Sequence, residues 1–232
     1  MEALLAFAAA LVALRFAGEL AKRYRERRER ALAAWSFSLL AYAVASGALA
    51  WGAAAGWGEA PFRVYYLFGG LLTAPLLGAG SLLLVGRRLV VPVVLVYTGL
   101  AAGIVLAEPL TAPVSGSEIP DASAHLDLFP ARIVAIVGNS LGTLAVVAVA
   151  IATFRRRPLG NSLIVAGTAV AAAGSAVAGL GAAPTAAFVA AGATLLYLGF
   201  RAATAPGPAN RAKGDGSGER YLRRTTSQSR AT

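Results

Sequence analysis

The chain has no cysteine, one methionine, one histidine and two lysines, and 14% of its 232 residues are charged. Without cysteine there is no disulfide framework, thiol nucleophile or zinc–cysteine site. Soluble domains carry roughly one quarter charged residues. Here the charge is scarce, 57% of residues are hydrophobic and the mean hydropathy is +0.66. Disordered chains need the opposite balance. Most of this chain is built for a lipid solvent.

Seven apolar stretches stand out: Ala3–Leu20, Leu32–Ala55, Val64–Val85, Leu89–Ala107, Ile133–Phe154, Ser162–Leu180 and Thr185–Phe200. Each comes near the ~20 residues that cross a ~30 Å hydrocarbon core. They predict an all-α fold, a polytopic membrane bundle of seven transmembrane helices over residues 1–201. A basic tail, 202–232, is too polar to fold alone and is expected to be disordered. Six spans is the competing count, because only Gly181-Ala182-Ala183-Pro184 separates the last two stretches. Pro184 lacks an N–H and suits a first helical turn, which favours a real break there.

The net charge of +10 is arranged by topology. Lys22, Arg23, Arg25, Arg27, Arg28 and Arg30 fall in the first connection, Arg87 and Arg88 in the third, and Arg155, Arg156 and Arg157 in the fifth. With the tail and Arg15, nineteen basic residues lie on one side and two, Arg63 and Arg132, on the other. Positive charge is retained in the cytoplasm, so the N-terminus is expected outside and the tail inside. Anionic lipid headgroups are the expected partner of the basic face. Nothing in these segments interleaves stacking aromatics as a nucleic-acid surface would. The first stretch has Glu2 before it and its basic cluster after it, the polarity of an N-out anchor rather than of a cleaved signal.

The spans carry no lysine, no histidine and no mid-membrane carboxylate. A retinal Schiff base, paired-histidine haem ligation and an acidic proton relay therefore have no residue to act through, and no cofactor is expected. Arg15 and Glu19, four apart on the first helix, form a candidate interfacial ion pair. Uncharged polar residues make a second pattern. Tyr42, between Ser38 and Ser46, Tyr97, and Asn139 with Thr143 fall ~10–15 Å deep at 1.5 Å per residue. They form a candidate midplane cluster, either a solute cavity or hydrogen bonds that knit helices together. Gly69-Gly70, Pro75, Gly78 and Gly80 predict a kink in the third helix. The loop Glu108–Arg132 holds Glu118, Asp121, His125 and Asp127, read as a solvated acidic loop with a surface metal site as the alternative. Arg223-Arg224-Thr225-Thr226-Ser227 has the pattern of a basic-directed kinase substrate.

Arginine outnumbers lysine 19 to 2, as GC-rich codons produce. With Phe62-Arg63-Val64-Tyr65-Tyr66-Leu67-Phe68-Gly69-Gly70 running into Pro75-Leu76-Leu77-Gly78-Ala79-Gly80, the chain resembles uncharacterised seven-helix integral membrane proteins of high-GC bacteria. Its helix count and orientation are also similar to the membrane input modules of bacterial sensor proteins. The resemblance implies a multi-pass protein of the bacterial cytoplasmic membrane. The expected function is a non-catalytic sensing, scaffolding or accessory module with a membrane-protein partner. The alternative is a small carrier for a neutral or apolar solute.

Overall fold

The computed structural model describes residues 2–156, 158–176 and 182–203. Among them all regular structure is helical: α1 (Glu2–Arg27), α2 (Arg30–Ala55), α3 (Glu59–Leu84), α4 (Val90–Ala107), α5 (Ile133–Thr153), α6 (Pro158–Ala176) and α7 (Ala182–Ala203). Helices α1 to α5 are long and apolar enough to cross a membrane. The tail, with the kinase-substrate pattern, lies outside the described residues, as does Arg157.

The first connection is shorter than its charges suggest. Residues 21–27, expected in a loop, continue α1, and only Arg28 and Glu29 are non-helical before α2. Lysine, arginine and glutamate are good helix formers, and basic groups suit a helix C-terminus. Arg28 stops the helix in the left-handed region (φ 57°), its N–H donating to the Tyr24 carbonyl at 2.7 Å.

Helix α1 packs on α2, α2 on α3, α3 on α5, α5 on α6 and α6 on α7, and α7 returns along α1. Helix α4 stands outside this ring against α3 and the start of α5, with Val96 and Leu106 more than 70% exposed. Side-chain sizes are sorted as lipid solvation allows. Ala6, Ala9, Ala13 and Ala17 of α1 are buried, whereas Leu4, Phe7, Leu11 and Leu14 face outward. When the solvent is as apolar as leucine, burying large side chains gains little, and small ones let backbones approach. The same principle seats α5 on α3, where a Cβ at Gly78 would fall 2.6 Å from the Gly142 carbonyl oxygen. It also joins α6 to α7: a Cβ at Gly167 would meet the Gly192 oxygen at 3.1 Å, and one at Gly199 the Gly160 oxygen at 3.0 Å. Those four glycines, spaced by seven on each helix, make an antiparallel seam.

The connections α1–α2, α3–α4 and α5–α6 and the end of α7 share one end of the bundle, which collects the arginines of the described residues other than Arg63 and Arg132. The opposite end holds Glu59, Glu108, Glu118, Asp121 and Asp127.

Candidate functional site

The middle of α3 is not an α-helix. Residues Tyr66–Leu72 form a π-helical segment, which passes into regular α-helix at Thr73, two residues before Pro75. The irregularity expected from Gly69-Gly70 to Gly80 is thus a widened turn that contains Gly69 and Gly70 and ends before Pro75. Its cause is local. Pro75 has no N–H to give, so the Leu71 carbonyl loses the donor it would meet in an α-helix, and at the change from π to α register the neighbouring Gly70 carbonyl is passed over as well. In lipid such groups must be satisfied from within the protein.

Neighbouring helices satisfy them. The Tyr97 hydroxyl of α4 donates to the Leu71 carbonyl at 2.9 Å, and the Asn139 amide of α5 donates to Gly70 at 2.8 Å. Ser38 of α2 donates to the Thr73 carbonyl at 2.8 Å, and the Thr73 hydroxyl folds back on Phe68 at 2.7 Å. Three helices therefore grip the irregular stretch of α3 through its main-chain carbonyls. Gly138 makes room for the Tyr97 ring, and the Tyr66 ring lies over Gly70.

The four cluster residues are divided by this arrangement. Tyr97 and Asn139 converge on adjacent carbonyls. Tyr42 lies by Tyr65 and packs against the apolar cluster of the basic end, around Trp35 and Leu39. Thr143 is half-buried one turn beyond Asn139 and takes no part in the capping. Ser46 turns back on its own helix, to the Tyr42 carbonyl at 2.9 Å.

At the basic end, Glu19 is held by Arg23 (3.4 Å) and Arg201 (4.0 Å) and not by Arg15, which is exposed on α1. The i, i+4 pairing runs from Glu19 forward to Arg23, the orientation that agrees with the helix dipole. Phe16 stacks on Tyr197 at 4.0 Å, and the Arg201 guanidinium lies 5.9 Å from the Tyr197 ring centre. This group joins α7 to α1.

At the acidic end, sequence reasoning missed a second group. Arg63 on α3 donates through Nε to Glu59 (2.8 Å), through Nη1 to the Val105 carbonyl and through Nη2 to the Glu108 main-chain oxygen (2.9 Å). It staples the start of α3 to the end of α4. Beside it the Glu108 side chain is buried, and burial, followed by the Asp127 charge, pushes its titration point above the usual glutamate value. The only signal in the sequence was a glutamate directly ending an apolar stretch.

The loop beyond contains one helical turn, Ala122–His125, capped by Asp121. Asp121 accepts from the Ser123 amide at 2.8 Å and the Ser123 hydroxyl at 2.7 Å, which hold its carboxyl below the usual range. The His125 ring meets Phe62 edge-on, and its Nδ1 faces the Ala112 carbonyl at 3.3 Å. Among the described residues no three His, Cys, Asp or Glu side chains gather as a metal site. Compared with protein-family models, curated proteins and solved structures, the chain finds no match.

Proposed function

We propose that the chain is a non-catalytic sensing, scaffolding or accessory module of a bacterial cytoplasmic membrane, crossing it seven times with the N-terminus outside. One observation carries the choice of a module over a solute carrier. The donor groups of the two deepest polar side chains that converge, the Tyr97 hydroxyl and the Asn139 amide nitrogen, are spent on the orphaned carbonyls of α3, while the Asn139 oxygen is buried without a partner. A carrier would keep such groups for its solute. Seven spans are supported by α7, which lies along α1 and is tied to it by Glu19 and Arg201. The orientation is supported by nineteen basic residues against two. The basic end would contact anionic headgroups at about 1 kcal/mol per residue near the surface, and the outward helix faces would take a membrane-protein partner.

Substitution of Asn139 separates the two readings. As a cap, Asn139→Leu lowers stability in detergent by roughly 1–2 kcal/mol. Full stability combined with loss of the cellular phenotype that the gene confers would overturn the module in favour of a solute site.

A further inference from the structure

Glu108 and Tyr66 are each 8% exposed, and neither carboxylate oxygen nor the Tyr66 hydroxyl has a hydrogen-bond partner. Both side chains line a cavity of about 10 Å³ at the acidic end, closed by Leu126 and Ala131 of the loop. The cavity is apolar: neither the carboxylate oxygens nor the Tyr66 hydroxyl opens onto it. A buried carboxylate with nothing to accept from is costly when ionised and cheap when it carries a proton.

The Arg63 guanidinium lines the same cavity and favours the ionised form, but by less than burial and the Asp127 charge oppose it, and no Arg63 N–H reaches the carboxylate. All three donor nitrogens of Arg63 are engaged, by Glu59 and two main-chain carbonyls. From the loop, Asp127 adds like charge, and Arg132, at the start of α5, acts on Tyr66. The Asp127 and Ala131 amides point toward the carboxylate and ease its ionisation, yet neither closes a hydrogen bond of ordinary geometry. His125 packs on Phe62, and Asp121 is bound to Ser123. Two nearby guanidinium groups and too few oxygens argue against a metal cation in the cavity. A proton on Glu108 removes the charge that these surroundings leave without a hydrogen-bond partner.

We propose that Glu108 is a proton-operated latch, whose neutral acid, buried beside Tyr66 under Leu126 and Ala131, holds residues 108–132 onto the ends of α3 and α4. On deprotonation the proton passes to the aqueous phase at that face, the carboxylate draws water into the cavity, and the loop loosens. The folded protein holds this proton more tightly than the unfolded chain. The latch is therefore firmest in acid and weakens as pH rises from the ordinary glutamate value through the raised one. The inference stands independently of the module reading.

The test is amide hydrogen exchange of the full-length protein in detergent micelles, followed on peptides covering residues 108–132 and normalised for the intrinsic rate at each pH. The wild type is expected to exchange several-fold more slowly in these peptides near the ordinary glutamate value than at a pH well above it. Glu108→Gln should stay protected throughout. Asp127→Asn, which removes a like charge without touching the cavity, should move the transition to lower pH. Protection independent of pH in the wild type would overturn the latch. So would a Glu108→Gln protein that keeps the wild-type pH dependence or, should that variant fail to fold, an Asp127→Asn transition left where it was.

Discussion

Tyr97→Phe removes a single oxygen, and its cost should depend on a residue with which it makes no hydrogen bond. The hydroxyl caps the Leu71 carbonyl at 2.9 Å, with a much weaker approach to the Val134 carbonyl at 3.4 Å. Leu71 is fully buried, so no water replaces the lost donor. Interhelical hydrogen bonds in membranes average ~0.6 kcal/mol and reach ~1.7. A carbonyl left bare belongs at the upper end, about 1.5 kcal/mol. That carbonyl needs Tyr97 because residue 75 is proline. Pro75→Ala restores an N–H aimed at Leu71, so in that background Tyr97→Phe should cost only about 0.5 kcal/mol, a coupling of ~1 kcal/mol in the double-mutant cycle. At ~2–4 °C per kcal/mol for a chain of this size, thermal unfolding in detergent should fall by about 3–6 °C in the wild-type background and no more than ~2 °C in the alanine background. Equal losses in the two backgrounds would show that the hydroxyl is not standing in for the missing N–H. No loss in either would show that Leu71 is satisfied elsewhere.

Two further outcomes follow from the packing and the charges. Gly167→Leu forces side-chain atoms into the Gly192 and Leu196 backbone, and should destabilise the protein by about 1–3 kcal/mol; an unchanged melting temperature would mean that α6 and α7 do not meet there. Reporter fusions after Arg88, after Asp121 and at Thr232 should read cytoplasmic, external and cytoplasmic, and an external tail would refute the orientation.

Where the helices lie was legible in the sequence. Hydropathy placed α4 within one residue at its start and α5 within one at its end, because both stretches are uniformly apolar and change abruptly to polar chain. It stopped α1 seven residues early, since basic residues raise polarity without breaking a helix. Gly69-Gly70 with Pro75 announced an irregular third helix. The sequence also marked Tyr97 and Asn139 as deep polar groups that must find partners.

Which partners they found was a tertiary matter. One-dimensional spacing cannot say which carbonyls a proline orphans in a widened turn, or which neighbouring helix comes near enough to cap them. Only the crossing of α3 with α4 and α5, made close by Gly138, Gly142 and Gly78, sets Tyr97 and Asn139 on adjacent carbonyls while Tyr42 goes to the other cluster. Likewise Glu19 had Arg15 and Arg23 equally spaced on its own helix, and the arrival of Arg201 on α7 made its surroundings a junction between helices. Glu108 shows the division most plainly. Its position at the end of an apolar stretch was written in the chain, but its burial depends on the loop that folds Leu126 and Ala131 over it from more than fifteen residues away. Hydropathy is additive along a chain, and so it determines spans; the partner of a buried polar atom depends on distances between spans, which only the folded bundle sets.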